Sequence, residues 1–300
     1  MPTLTRRAAV QLLASACVVP SAFVRAQAPR LPIAFSTLGC PEWSWRTILD
    51  VAAREGFAAL ELRGIQKELD LPRRPEFSPA NTATTLADLR SLDLTIVSLG
   101  SSVQLHHREP EVRARHFDDG RRFIDLAAAL GTPYVRVFGD RLLEGEPREA
   151  GIARVVEGLR QLAAHAKGSG VEVLIESHGD FTDSPTLETI LTEAGSGVGL
   201  LWDTHHTVVA GNEAPQQTLS RLQRWVRHTH LKDSRPDGKE RRYVLTGEGD
   251  VPVAEIVRVL RASGYKGYYS LEWEKLWHPE IEEPEVAIPH YARLMRQYLT

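Results

Sequence analysis

Eight short runs of β-branched and apolar residues recur between residues 31 and 272, each followed by a stretch with helical periodicity or a polar loop. This alternation restricts the chain to parallel strands joined by crossover helices. The runs are Leu31–Thr37, Ala58–Leu62, Leu94–Leu99, Tyr134–Phe138, Val171–Glu176, Val198–Asp203, Val226–Leu231 and Gly267–Glu272. Between them, Ala153–Ala166 places Val155, Val156, Leu159, Leu162, Ala163 and Ala166 on one stripe, and Val253–Leu260 repeats the pattern with Val253, Ile256, Val257 and Leu260. Gly56, Gly131, Gly170 and Gly264 stand where helices should stop before the next strand. Eight strands in about 240 residues fit a closed (β/α)8 TIM barrel of about 250 residues. An open doubly wound sheet would more often carry a Gly-rich first turn, and Thr37-Leu38-Gly39-Cys40-Pro41 stands there instead. No linker or repeat divides the chain, so residues 29–300 are expected to form a single domain. The two longest polar loops, Gln66–Ser78 and Lys232–Asp250, follow strand ends and fall on the face that carries barrel active sites.

The first 28 residues read differently. Thr5-Arg6-Arg7 precedes an acid-free apolar run from Ala8 to Val24 and then Ala26-Gln27-Ala28, a small-x-small cleavage pattern, so residues 1–28 are expected to be a signal peptide. The run is interrupted by Gln11, Ser15, Pro20 and Ser21 and is too short for a membrane span of about 20 residues. The paired arginines resemble a twin-arginine export signal, although Ala9 and Val10 replace larger apolar residues, which leaves the general secretory route open. A periplasmic or secreted location follows as an expectation, with no membrane span in the mature chain. Cleavage would leave 33 basic against 39 acidic residues, a formal charge of −6, which argues against nucleic acid as a partner. Cys17 would leave with the signal, so Cys40 has no intramolecular partner and is either a small core residue or a reactive thiol. A homo-oligomer is compatible with all of this.

Four successive strands end in metal-binding chemistry: Glu176 in VLIESHGD, Asp203 in LLWDTHH, His230 in VRHTHLKD and Glu272 in YYSLEWE. A single acid at a strand end can cap the next helix, and a lone histidine is often structural. Three acids converging on one barrel end, however, cost several kcal/mol unless a cation neutralises them. Three oxygens and one nitrogen form a hard ligand set, for which Mn²⁺ is the first expectation, with Mg²⁺, Co²⁺ or Zn²⁺ as alternatives.

At these residues the chain resembles the sugar phosphate isomerase/epimerase family of xylose isomerase-like barrels, which includes inosose dehydratases, hydroxypyruvate isomerases and ketose 3-epimerases. HTHLKD at 228–233, GEGDVP at 247–252 and GYKGYYSLEWE at 264–274 carry the resemblance, and the first half agrees mainly in architecture. The resemblance implies that Glu176, Asp203, His230 and Glu272 hold one divalent metal and that Glu176 and Glu272 move a proton α to the carbonyl of a carbohydrate substrate. His206 would then contact substrate, with His178 and His205 as weaker candidates. Lys232, Arg241 and Arg242 in the seventh loop could meet substrate oxygens, and Arg136 inside an apolar strand needs a buried partner. Trp43 and Trp273, with Trp45 and Trp277, follow strands one and eight and could stack on a sugar ring or pack in the core.

The expected activity is isomerisation or epimerisation of an unphosphorylated keto or aldo sugar or derivative. The same first step followed by loss of a β leaving group would make the enzyme a lyase or dehydratase acting on a keto-sugar or 3-keto-glycoside. A non-catalytic sugar receptor would need no glutamate pair. A barrel AP endonuclease would need further ligands, whereas strand three ends in Val97-Ser98-Leu99-Gly100 and the seventh loop reads Arg241-Arg242-Tyr243.

Overall fold

A computed structural model describes residues 30–300, so the expected signal segment lies outside the described residues. Strands β1 (Ile33–Ser36), β2 (Ala59–Leu62), β3 (Thr95–Gln104), β4 (Tyr134–Phe138), β5 (Glu172–Glu176), β6 (Val198–Asp203) and β7 (Val226–Leu231) run parallel. The eighth barrel strand, β10 (Tyr269–Leu271), pairs with both β7 and β1 and closes the cylinder. The chain is thus a single eight-stranded α/β barrel, as the alternation predicts.

Helices α1 (Trp45–Glu55), α2 (Thr82–Ser91), α3 (Pro110–Leu130), α4 (Arg148–Ala166), α5 (Ser184–Ala194), α6 (Thr204–Val209), α7 (Pro215–Leu222), α8 (Val253–Ala262) and α9 (Pro284–Leu299) follow the strands. No described helix is long and apolar enough to cross a membrane. Gly56 and Gly131 terminate α1 and α3 with left-handed φ of 79° and 67°, a conformation that a Cβ would strain. Gly170 departs from expectation: α4 ends at Ala166, and the glycine turns the chain four residues later with φ of 83°.

Strand alternation sorts the side chains. Ile33, Phe35, Leu60, Leu62, Val135, Val137, Val173 and Ile175 join the helices in one large core, whereas Ala34, Ala59 and Val97 form a separate small cluster with Tyr134 and Tyr268. A (β/α)8 interior is ordinarily filled by bulky branched residues. Here small and polar residues, among them Ser36, Glu61, Arg136, His228 and Ser270, are buried on the alternate positions of the strands. Cys40 is 1% exposed in the large core, and burial pushes its thiol well above the ordinary range, which makes it an inert core residue.

The loop expected over Lys232–Asp250 is not irregular. It carries an antiparallel ribbon of β8 (Asp233–Asp237) and β9 (Glu240–Val244) turning at Gly238, whose φ is 62°. The loop over Gln66–Ser78 contains two short 3-10 turns, Leu71–Arg73 and Pro75–Phe77, anchored by buried Leu71 and Phe77.

Candidate metal centre

Because β5, β6, β7 and β10 are neighbours in register, the residues at their C-terminal ends meet. Asp203 is level with His230 in the ladder, and His230 with Ser270, two residues before Glu272. One donor atom each from Glu176, Asp203, His230 and Glu272 lies within 4.8 Å of all the others, and all four side chains are buried. His230 Nδ1 faces Glu272 Oε1 at 3.3 Å, Glu176 Oε1 at 3.4 Å and Asp203 Oδ2 at 3.8 Å.

Asp203 plays both roles that its position allows. Its Oδ1 accepts the His206 amide at 3.0 Å and caps α6, while Oδ2 faces the cluster. His230 Nδ1 is buried without a hydrogen-bond partner, and such an orphan facing three carboxylates is what a divalent cation satisfies. The residues therefore fit a metal with four protein donors. We expect one tightly bound divalent ion per chain after purification with metal. Elemental analysis returning two or three ions per chain would contradict a single centre.

The electrostatics of the cluster are dominated by mutual compensation. Burial alone would raise the Glu176 carboxyl, but Arg136 and His230 bring it below the ordinary range. Glu272 is likewise opposed by burial and lowered by His230 and Lys232. Burial would depress His230, but Glu272, Glu61 and Glu176 pull it well above an ordinary imidazole. That pull on a proton is the same pull a cation would feel at Nδ1.

The centre opens to a cleft of about 100 Å³ lined by Leu38, Arg63, Arg136, Phe138, His178, His206, Lys232, Glu274 and Trp277 as well as Glu176 and Glu272. Arg136 finds the partners its burial requires: Nε lies 3.0 Å from Glu176 Oε2, Nη1 donates to the Ser101 carbonyl at 2.9 Å, and the guanidinium covers the Phe138 ring at 3.9 Å. Gly100 makes room for it, since a Cβ there would fall 2.9 Å from Arg136 Nη2 and 2.8 Å from Arg63 Cδ. Lys232 is 1% exposed at the centre of an anionic cage, 2.7 Å from Asp203 Oδ2, 2.5 Å from Glu272 Oε2 and 2.6 Å from Glu274 Oε1. Burial opposes its charge, yet these three carboxylates raise its ammonium well above the usual range and keep it protonated.

Of the histidines, His206 lies on the cleft wall, 3.5 Å from Asp203 Oδ2 and 3.3 Å from Lys232 Nζ. His178 lines the cleft two residues beyond Glu176, its Nδ1 3.3 Å from Asp140 Oδ1. His205 is buried behind the cleft wall, with a ring nitrogen near Asp203 and His206, and its Nε2 shares a 2.7 Å hydrogen bond with Ser234; burial, with Lys232 nearby, lowers it to about 3, so it stays neutral.

Three expected substrate contacts are placed elsewhere. Trp43 is buried and donates to Glu285 Oε1 at 2.9 Å, and Trp273 is buried and donates to the Glu282 carbonyl at 2.9 Å, because a buried indole N–H seeks an acceptor. Trp277, half exposed, is the tryptophan that reaches the cleft. Arg241 clamps its own ribbon, donating to Ser234 Oγ at 2.7 Å and to Asp250, and Arg242 is exposed on the same strand. Conversely, Glu61, Arg63, His228 and Glu274 belong to the site or its support and were not among the candidates. His228 carries a readable signal, since it precedes His230 by two residues and so shares its side of the strand.

The family described as xylose isomerase-like TIM barrel matches residues 49–298. The chain belongs to that family. Its relatives in sequence include the inosose dehydratase of Serratia proteamaculans, 26% identical over 166 residues, a match covering 49% of this chain and 53% of that one, so the chain spans about half of that relative's length. Inosose dehydratase 2 of Bacillus cereus is 29% identical over 249 residues, covering 74% of this chain and 81% of the relative. Among solved structures, the probable 3-DHS dehydratase AsbF of Bacillus anthracis superposes with a TM-score of 0.74 at 16% identity, over 89% of this chain and 99% of that one. D-allulose 3-epimerase of Methylomonas sp. gives 0.71 at 19% identity, over 90% and 98%. The IOLI protein, whose structure holds a zinc atom, gives 0.72 at 15% identity, over 90% and 96%. At such identities the structural likeness speaks for the fold. Epimerases and dehydratases both populate this xylose isomerase-like barrel.

Proposed function

We propose that this chain is a divalent-metal-dependent isomerase or epimerase that moves a proton α to the carbonyl of an unphosphorylated keto or aldo sugar or a derivative of one. The observation that carries this reading is the cluster of Glu176, Asp203, His230 and Glu272 in the floor of a cleft, with two glutamates contributed by strands three ladder steps apart. A divalent ion held by these four residues, Mn²⁺ being our first choice, would polarise a substrate carbonyl and make its α-proton more acidic. Glu176 and Glu272 then stand as base and acid on either side of the substrate carbon, one removing the proton and the other returning it. His206 and His178 face the cleft as donors to substrate oxygens, the Lys232 ammonium adds positive charge beside them, and Leu38, Phe138 and Trp277 supply apolar wall for the ring.

A second reading ends the same first step differently. The protonated Lys232, bonded to Glu272 and Glu274, is a positive charge next to where a departing β-oxygen would build negative charge, and this favours elimination, the reaction class in the names of the dehydratase relatives.

Residues 1–28, read as an export signal, would place the enzyme among free sugars and glycosides. The cleft gives a phosphate little to bind: Lys232 is already held by three carboxylates and Arg136 by Glu176 and a carbonyl. We expect kcat/KM for free ketoses or keto-glycosides to exceed that for sugar phosphates by at least about tenfold, equivalent to about 1.4 kcal/mol. Metal-loaded protein incubated with both panels in D₂O, with products followed by NMR, tests this and the reaction class together. Deuterium at the epimerised or isomerised α-carbon supports the first reading, and an unsaturated product the second. No exchange with any ketose or keto-glycoside, or a clear preference for phosphates, would overturn the proposal.

A further inference from the structure

The metal cluster rests on a second set of buried polar groups one layer deeper in the barrel. Glu61, at the end of β2, is fully buried, and its Oε2 lies 2.7 Å from His230 Nε2 and 2.9 Å from His228 Nε2. Strands β2 and β7 are not neighbours. β1 and β10 lie between them and carry Ala34, Ser36 and Ser270 as small buried residues, which leaves the interior open for Glu61 to reach across. A buried carboxylate in that layer is costly, and two buried imidazoles add to the cost, so the arrangement calls for a reason beyond packing.

We propose that Glu61 is the positioning residue of the metal centre: by accepting the Nε2–H of His230 it fixes that ring with the lone pair of Nδ1 turned toward the ion, while its bond to His228 holds the carboxylate in place. The proposal rests on the reading of the four-residue cluster as a metal site. A carboxylate only accepts, so each imidazole nitrogen bonded to Glu61 carries a hydrogen. For a neutral His230 this leaves Nδ1 as the free donor, and Nδ1 is the atom that faces Glu272, Glu176 and Asp203 at 3.3, 3.4 and 3.8 Å. A carboxylate behind a metal-bound imidazole sets its tautomer and orientation and increases its basicity. The same three residues could in principle hold an ion of their own. The contacts argue against it: ligand atoms each ~2 Å from an ion stand about 3.3 Å apart, whereas Glu61 Oε2 approaches the two nitrogens at hydrogen-bond distance.

The test uses the full-length wild-type chain, labelled with ¹⁵N-histidine and loaded with ¹¹³Cd²⁺, alongside Glu61→Gln. In the wild type, one cadmium per chain should bind, coupling should appear at the Nδ1 of a single imidazole, and the Nε2 of that ring should retain its proton. In Glu61→Gln, competition against a chelator should show metal dissociation constants raised about 10- to 100-fold for Mn²⁺ and Co²⁺, the effect typical of losing such a partner. The Co²⁺ absorption bands should shift as the ring loosens. Coupling at Nε2, or wild-type affinity with an unchanged Co²⁺ spectrum in the variant, would overturn the positioning role and leave the metal centre standing. A wild-type chain that takes up no cadmium, manganese or cobalt would instead overturn the metal reading, and the role of Glu61 with it. Should Glu61→Gln fail to fold, the wild-type coupling pattern alone decides.

Discussion

Replacing either Glu176 or Glu272 by glutamine is expected to lower turnover by about 10²- to 10⁴-fold, the usual worth of a positioned acid or base, while leaving the barrel folded. Glutamine keeps the volume and one oxygen but cannot accept the substrate proton. Both residues stand at the open end of the barrel next to the cleft, outside the large apolar core between strands and helices. Each variant also disturbs a neighbour. Glu176→Gln leaves the Arg136 guanidinium without its charge partner at 3.0 Å, and Glu272→Gln removes one of three carboxylates holding Lys232. Both substitutions also remove a metal donor, so the comparison must be made at saturating metal with bound ion measured in the same samples. Circular dichroism reporting an intact barrel, full metal occupancy and α-proton exchange in D₂O lost in both variants is the expected result. Near-normal exchange in either variant would remove that glutamate from proton transfer and make it a ligand only.

The elements that the sequence disclosed are those with a local signature. Each strand run declares itself by β-branched and apolar residues bounded by loop signals, and seven of the eight runs differ from the structure by at most two residues at either end. β3 is the outlier, continuing through Gly100 to Gln104 where polar residues hide the extension and the pairing with β4 shifts register. The ribbon in the seventh loop, turning at Gly238-Lys239, reads in the sequence only as a polar loop, because its strands are largely polar on both faces and no hydrophobic period exposes them. The four strand-end donors were legible because adjacent parallel strands bring their ends together whatever the details of packing. Glu61 was not, because its meeting with His228 and His230 spans the barrel interior and 167 and 169 residues of chain, a contact that exists only once the cylinder closes. Of the two readings open for the tryptophans, packing inward has a related cause: Trp43 and Trp273 lie near the right strand ends, and only the cover supplied by residues 282–285 turns them inward.

The largest effect on stability is expected at Asp233, in the HTHLKD segment, rather than at any core residue of comparable size. Its carboxylate accepts four backbone N–H groups at once: Ser234 at 2.8 Å and Val251 at 3.1 Å on Oδ1, and Gly247 and Gly249 at 2.9 Å on Oδ2. This explains why HTHLKD and GEGDVP occur together, since the second segment is wrapped around the acid of the first. Gly249 fits only because it has no side chain; a Cβ would fall 2.1 Å from Asp233 Oδ1 and 2.3 Å from the Ser234 carbonyl. Asp233→Ala strands all four donors. Those of Ser234 and Val251 are buried, and each unsatisfied one costs about 1–3 kcal/mol, whereas the exposed Gly247 amide can turn to water. The expected loss is about 3–5 kcal/mol, near the upper limit for a single substitution, or a fall in Tm of about 10 °C at the 2–4 °C per kcal/mol usual for a chain of this size. Activity should fall too, because Lys232 precedes the latch by one residue and its ammonium must meet Asp203, Glu272 and Glu274 within 2.7 Å. Asp233→Asn, which keeps one acceptor oxygen and turns an NH₂ toward two of the donors, should fall between wild type and alanine. Thermal and urea unfolding of the three proteins, apo and metal-loaded, gives the comparison; an alanine variant as stable as wild type would show that the loop holds its shape without the carboxylate.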